Sequence, residues 1–377
     1  MRIGVAKELV SEEHRVALVP ESAARLIAAG AEVVVEKGSG ELAFFPDPTY
    51  REVGATILTT HRQVLTSSDL LLKVRPPLAK GQSSDEIALL PKGSVLVGML
   101  QPLTQPELIE QLARRGVTAF SLDRLPRISR AQDMDVLSSM STVSGYHAVL
   151  LAAVRLPRFF PLLMTAAGTV TPARVLVLGA GVAGLQAIAT ARRLGGVVRA
   201  FDVRPQVKEQ VESLGAQFVD VGETVEAVEG QGGYAAEVSA STQKREQAAL
   251  AREVAEADVV ITTALVPGRK APILVTRAAV AKMRPGSVIV DLAAEAGGNC
   301  ELTEPGQELK KAGVWILGPL DLPSRMAYHA SQLYSRNLTR FTLSLIKDGK
   351  IQLNFEDEVV STTCVAHDGQ IMAGARV

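Results

Sequence analysis

Cysteine is scarce: Cys300 and Cys364 are the two in 377 residues. They lie far apart and form neither a C-x-x-C pair nor a Cys/His cluster, which argues against a disulfide framework and against a zinc site. A reducing, cytosolic compartment and no metal are therefore expected. Charge bias is absent too, since 40 basic residues balance 40 acidic ones. That removes the electrostatic footprint of a nucleic-acid or anionic-membrane surface. No long biased segment occurs, and 47% apolar with 21% charged residues is the composition of a globular chain rather than a disordered or fibrous one. The opening MRIGVAKE lacks the apolar core of a secretory signal and reads as a first strand, so no cleavage is expected. The most apolar stretch, HAVLLAAVRLPRFFPLLMTAAGTV from His147 to Val170, is broken by Arg155, Pro157, Arg158 and Pro161. It falls short of about 18 uninterrupted apolar residues and reads as a buried helix and a turn, with no direct membrane insertion.

What the chain does have is length for two domains, at roughly 100–200 residues each, and a regular alternation of strand-like and helix-like stretches. RIGVA, ESAARLIAAG, AEVVVEKG, DLLLKVR, GSVLVGML, TQPELIEQLARRG and VTAFSL form a first series. RVLVLG, VAGLQAIATARRLG, VVRAFD, QVKEQVESLG, DVVITT, SVIVDLA and VWILG form a second. This βαβ rhythm predicts two doubly wound α/β domains with parallel sheets and a cleft between them. The long helical pattern from Ser324 is expected to cross back, so that residues 1–137 and 325–377 make a discontinuous first domain and residues 138–324 the second.

The second series opens with VLVLGAGVAGLQAIATARRLGGVVRAFDVR. Gly179-x-Gly181-x-x-Gly184 directly follows an apolar strand and heads a helix, and Asp202 ends the next strand. Strand, turn, helix, strand and terminal acid together make the dinucleotide fingerprint. The first glycine permits the tight turn, the second lets backbone approach a pyrophosphate, and the third lets the helix lie close to the sheet. Ala180 and Val182 complete the turn. Asp202 is expected to accept hydrogen bonds from the adenosine ribose and to repel a 2′-phosphate, which favours NAD(H) over NADP(H); Arg204, next to Val203, is placed to oppose that preference. Thr263, Ala264 and Leu265 follow another strand and should line the same crevice beyond the carboxyl ends of the strands. Asp291 and Glu295 follow a third, where helix capping or a solvated loop competes with a ligand contact.

Two further stretches carry unusual polarity. RISRAQDMDVLSSMS, Arg127 to Ser141, gathers arginines, a glutamine, aspartates and serines at the start of an apparent helix. Ser129 and Gln132 there also fit an S-x-x-Q capping box, a purely structural reading. GQGGYAAEVSA, with Tyr234 beside Gly232 and Gly233, reads as a mobile surface loop. His147, a lone histidine at a helical position, reads as a packing residue.

Taken together, RAQDMDVLSSMSTVSGYHAV, the glycine-rich segment, GGYAAEVS, LVPGRKAPILVT and VIVDLAAEAGGNCE resemble the NAD(H)-binding component of the proton-translocating NAD(P) transhydrogenases. That family is related to alanine dehydrogenase, which shares Arg15 and Lys73 as groups that bind substrate carboxylate or carbonyl. The dehydrogenase's catalytic histidine would fall in GMLQPLT, which here offers Gln101, and its catalytic aspartate in LAAEAGG, which offers Ala294 and Glu295. Amino acid oxidation needs a proton acceptor; hydride transfer between two nicotinamides does not.

The resemblance implies the rest. Asp135 and Ser138 would hold the nicotinamide carboxamide, Arg127 would bond its oxygen, Gln132 would reach the ribose of an incoming NADP(H), and Tyr234 would close over bound NAD(H). NAD(H) is then a substrate, and NADP(H) sits on a partner subunit. The chain would be a homodimeric, Re/Si-specific, peripheral component on the cytoplasmic face of the plasma membrane, with membrane-spanning subunits that couple transfer to proton translocation. Two rival readings are an alanine dehydrogenase-like enzyme and a non-catalytic NAD-binding module.

Overall fold

The computed structural model describes residues 1–79, 84–220, 250–266 and 268–375. It divides into two compact units, Met1–Met140 with Pro323–Val377, and Ser141–Leu322. The first opens with strands β1 (Arg2–Val5), β2 (Glu32–Glu36), β3 (Thr56–Leu58), β4 (Leu70–Leu72), β5 (Val95–Gly98) and β6 (Thr118–Ser121). All pair in parallel, in the order β6-β5-β4-β1-β2-β3. The crossover helices have local causes. Pro106–Arg115 starts with proline in its first turn, carries Glu107 near its positive end and Arg114 and Arg115 near its negative end, and stops at the left-handed Gly116. Leu108, Ile109, Leu112 and Ala113 form its buried stripe.

The strands of the second unit begin with a hairpin, β7 (Leu163–Thr165) and β8 (Gly168–Val170), followed by β9 (Arg174–Leu178), β10 (Val197–Phe201), β11 (Gln217–Phe218), β12 (Val259–Thr262), β13 (Val288–Asp291), β14 (Glu308–Lys311) and β15 (Val314–Leu317). The sheet order is β11-β10-β9-β12-β13-β15-β14, with β14 antiparallel to β15 and the other pairs parallel. The order reverses between β9 and β12, the switch point at which open α/β sheets take ligands. Alternate residues feed two cores: Val175, Val177, Val198, Val259 and Ile261 enter one, and Leu176, Leu178, Val260, Ile289 and Ile316 the other. A sheet covered on both faces explains why its strands read as continuous apolar runs.

The chain then returns to the first unit. Helix Ala327–Ser344 buries Tyr334, Leu338 and Phe341, a short hairpin of β16 (Ile346–Lys347) and β17 (Lys350–Ile351) comes next, and β18 (Cys364–His367) pairs antiparallel with β6, extended by β19 (Gln370–Ile371). The fold class is α/β, two mostly parallel sheets with antiparallel edges.

The apolar stretch 147–170 departs from its sequence reading. Helix Val136–Arg155 ends before Pro157, and its Ala148, Val149 and Ala152 enter a core of the second unit. After the helix the chain makes a short hairpin rather than a turn alone, and Phe159, Leu162 and Met164 are 57%, 53% and 80% exposed, the last two on or beside β7–β8. Among the described residues, Val136–Arg155 is the one helix long and apolar enough to cross a membrane, by length and composition alone.

Candidate dinucleotide-binding site

In the second unit, β9 runs into a turn that glycine alone can make. Gly179 has φ +100°, and a Cβ there would lie 2.5 Å from Thr263 Oγ1. A Cβ on Gly184 would lie 1.9 Å from the Gly179 carbonyl oxygen, so helix Val182–Arg193 approaches the strand end only because that side chain is missing. Around Gly181 the situation is the reverse: no protein atom lies within 4 Å of where its Cβ would be. Gly181 is also the N-cap, and no side chain caps the helix. Open space beside uncapped N–H donors and the positive end of a helix dipole fits a pyrophosphate.

Asp202, buried just beyond β10, braces this turn by accepting from Ala180 N at 2.7 Å. The Arg204 guanidinium grips both its oxygens, Nε to Oδ1 at 2.9 Å and Nη2 to Oδ2 at 3.0 Å, and Arg204 N donates to Oδ1 at 2.9 Å. Beyond β12, Thr263 Oγ1 donates to Gly179 O at 3.1 Å, Ala264 N donates to Asn299 Oδ1 at 3.0 Å, and Leu265 is exposed. Asn299 is fully buried and also donates to Ala264 O and Pro272 O, both at 2.8 Å. It fixes the 263–265 loop, a role that no pattern near residue 299 announces.

Asp291, weighed in sequence as a ligand contact, is fully buried and accepts from Thr262 Oγ1, Ala293 N, Cys300 N and Thr303 Oγ1 at 2.6–3.0 Å. Its acceptor positions are filled by protein, so it ties strand ends together. Glu295 is exposed on a short turn. His147 is half-buried, its Nδ1 3.4 Å from Leu322 O. Tyr234 lies outside the described residues. Both cysteines are free and buried, and among the described residues no group of three His, Cys, Asp or Glu could hold a metal ion.

In the first unit, the polar segment folds as a 3-10 helix, Ser129–Met134, whose N-cap makes no side-chain bond. The expected Ser129–Gln132 capping box does not form. Asp135 does the capping instead: Ser138 N donates to its Oδ1 at 2.9 Å and Ser138 Oγ to its Oδ2 at 2.6 Å, at the start of Val136–Arg155. A carboxylate one residue before a helix reaches the third N–H more directly than a serine six residues earlier. Arg127 and Gln132 are exposed. The turn is anchored from far along the chain. Asn337 Nδ2 donates to Asp133 O at 2.8 Å, Ser139 Oγ donates to Asn337 Oδ1 at 2.7 Å, Arg340 pairs with Asp133 at 2.7 Å, and Arg130 forks onto Asp357 at 2.9 and 2.6 Å.

Arg15 and Lys73 are buried in the first unit, and both are occupied by carboxylates. Arg15 meets Glu13 at 2.7 and 2.5 Å, with Arg75 also on Glu13 at 2.8 Å. Lys73 Nζ lies 2.8 Å from Glu86 and 3.4 Å from Glu8, and His61 bridges Glu86 and Glu36 at 3.0 and 2.7 Å. Gln101 has φ +53°; its N–H donates to Asp123 Oδ2 at 3.0 Å, and its side-chain oxygen accepts from Gln105 at 2.8 Å. Burial raises the Asp123 carboxyl above the usual range.

The carboxylate chain dictates a pH profile. Burial alone would lower His61, but its bonds to Glu36 and Glu86 push it up from 6.5 to about 9. Burial alone would raise Glu86, but His61 and Lys73 hold it at about 2 instead of 4.5. A raised histidine stabilises the fold fully below its unfolded value and loses that as pH climbs through the folded one. A depressed glutamate stabilises above its unfolded value and loses that as pH falls toward the folded one. Urea stability is therefore expected to peak between 4.5 and 6.5. It should decline toward pH 10 by on the order of 3 kcal/mol, at about 1.4 kcal/mol per tenfold change in proton affinity. His61→Gln should flatten the alkaline limb; an unchanged limb would remove His61 as its cause.

Comparison with known proteins bears on these two units. The family model for the alanine dehydrogenase/PNT N-terminal domain matches residues 4–144, and that for the alanine dehydrogenase/PNT C-terminal domain matches residues 148–374. The chain is 49% identical over 375 residues to the first part of NAD(P) transhydrogenase subunit alpha of Rhodospirillum rubrum, covering 99% of this chain and 98% of that one. Among solved structures it is similar to transhydrogenase from Sinorhizobium meliloti, with TM-score 0.85, 42% identity and 98% of each chain covered. It is similar also to an L-alanine dehydrogenase, with TM-score 0.82, 29% identity and 100% and 98% of the two chains covered.

Proposed function

This chain belongs to the alanine dehydrogenase/PNT family, on its transhydrogenase side, and from that premise we propose that it binds NAD(H) and exchanges hydride directly with NADP(H) held on a partner subunit. The observation that supports the reading is the built glycine turn at Gly179–Gly184; beside it, the resemblance puts Gln101, a side chain that cannot take a proton, where the dehydrogenase has its histidine.

In this reading Gly179, Ala180, Gly181, Val182 and Gly184 seat the pyrophosphate, Asp202, Val203 and Arg204 meet the adenosine ribose, and Thr263, Ala264 and Leu265 flank the nucleotide. Arg127, Asp135 and Ser138 orient the nicotinamide carboxamide, and Gln132 reaches the second nucleotide. The C4–H bond of the dihydronicotinamide breaks as a C4–H bond forms on the oxidised ring. Two electrons travel with the hydride and no proton is released, so the residues have only to align two rings. Re/Si stereospecificity, a peripheral position on the cytoplasmic membrane face and coupling to proton translocation by membrane-spanning subunits belong to the same proposal.

The test mixes the purified chain with an NADP(H)-binding partner domain and follows NADPH-driven reduction of an NAD analogue, with alanine plus NAD as control. Alanine turnover by the chain alone would sink the reading. Gln132→Asn is expected to slow transfer about tenfold, because a shortened side chain loses its reach across the reacting pair. Its NADH affinity should stay nearly unchanged; an equal loss of affinity would place Gln132 on NADH instead.

A homodimer is part of this proposal, and the exposed β7–β8 hairpin supports it. Leu162, Met164 and Val170 are 53%, 80% and 40% exposed, an apolar edge that a second copy of the chain can cover. Leu162→Glu with Met164→Glu is expected to give a monomeric mass by light scattering where the parent gives a dimer. A dimeric double variant would move the interface elsewhere.

A further inference from the structure

The carboxylate of Asp202 is full. A carboxylate offers about four acceptor positions, and four N–H groups occupy them here. Ala180 N at 2.7 Å and Arg204 Nη2 at 3.0 Å sit on Oδ2, while Arg204 N and Nε, both at 2.9 Å, sit on Oδ1. Two of the four come from one guanidinium that grips both oxygens, its side chain 14% exposed. The acid that the fingerprint assigns to ribose hydroxyls thus has no acceptor left while the fork is docked. Ala180 N and Arg204 N are main chain and belong to the turn, so a ribose diol gains Asp202 only by displacing the guanidinium. Once displaced, that guanidinium stays tethered two residues away, within the ribose-binding corner. A planar fork of N–H donors is also the group best matched to a phosphate.

Resting on the reading that this turn seats an adenine dinucleotide, we propose that Arg204 is the second half of a specificity pair: tied to Asp202 it is withheld from the ligand, and once the carboxylate charge is removed it receives a 2′-phosphate. Discrimination against NADP(H) is then a balance. The Asp202 charge repels the phosphate, and Arg204 attracts it. Two substitutions act with opposite sign. Removing Arg204 leaves a bare carboxylate with acceptors to spare, which favours the ribose diol and opposes a phosphate. Neutralising Asp202 as asparagine keeps an oxygen for Ala180 N and removes the charge that holds the fork on Asp202.

The test is calorimetric titration of the purified chain with 2′,5′-ADP, which carries the 2′-phosphate and no nicotinamide, alongside 5′-ADP and NADH. It compares the parent, Asp202→Asn, Arg204→Ala and the double variant, with circular dichroism reporting folding. Asp202→Ser, which also retains an oxygen for Ala180 N, replaces the asparagine variant if that one unfolds. Asp202→Asn is expected to bind 2′,5′-ADP about tenfold tighter, charge-assisted phosphate bonds being the strong ones. The double variant should lose that gain, and Arg204→Ala alone should bind 2′,5′-ADP more weakly than the parent. A gain of equal size in the double variant would mean that lifting the repulsion suffices, and would overturn the role of Arg204. A parent chain that binds neither NADH nor 5′-ADP would overturn the dinucleotide reading itself. Intact NADH binding without an Arg204-dependent gain overturns the pair alone.

Discussion

Gly181→Ala is expected to fold like the parent and to lose NADH affinity by about a hundredfold, close to 3 kcal/mol. At φ −72° an alanine is unstrained, and its methyl would meet no protein atom within 4 Å. The folded state thus has nothing to lose, whereas a pyrophosphate seated on the helix N-terminus would have to retreat from its N–H donors. Gly184→Ala is the control with the opposite signature. Its methyl would lie 1.9 Å from a backbone oxygen, so helix and strand must separate and stability falls together with binding. Fluorescence titration with NADH and urea unfolding of both variants distinguish the cases. A Gly181→Ala chain that keeps parental affinity would show that the pyrophosphate sits elsewhere.

The second large effect lies in the first unit. Lys73→Met is expected to destabilise the fold by about 3–5 kcal/mol, the usual result of removing one partner of a buried ion pair. Lys73 is 1% exposed beside Glu86 and Glu8, and burial already pushes the Glu8 carboxyl above its ordinary range. Without the ammonium, two buried carboxylates face each other with His61 as the remaining counter-charge on Glu86. Adding Glu86→Gln should recover part of the loss, because it removes the charge that was stranded; a double variant as unstable as the sum of its parts would deny the coupling. A fall below about 1 kcal/mol in Lys73→Met would mean that water reaches the cluster.

The glycine turn after β9 was legible in sequence because its determinants are local. Gly179, Gly181 and Gly184 span six residues, each set by steric facts of one strand–turn–helix unit, and Asp202 follows at the end of the neighbouring strand. The supports of the sites were not legible. Asn337 holds the 129–134 turn across 204 residues and Asn299 holds the 263–265 loop across 35, and an asparagine inside a helix or loop carries no mark of its distant partner. Asp291 misleads for a related reason: an acid after a strand looks ready for a ligand, and only tertiary structure reveals four internal donors. The capping box failed because Asp135 sits nearer the helix start than Ser129. The β7–β8 hairpin was read only as a turn, because three-residue strands carry too short a pattern to show, and nothing local marks Leu162 and Met164 as exposed. Strand β14, ELKK, is an edge whose lysines conceal the period-two pattern.

The pairing of β18 with β6 also sets an order of events during synthesis. The second unit is one continuous stretch, so everything its sheet requires has been synthesised once residue 317 is made. The first unit starts earlier and finishes later, with β6 keeping an unpaired edge until residues 364–367 arrive. During that interval, more than two hundred residues of translation, β6 presents open N–H and C=O groups and is the point at which a nascent chain is most exposed to pairing with the wrong strand. A ribosome stalled before β18 would therefore carry a finished second unit and an unfinished first, and chaperone demand should track the latter.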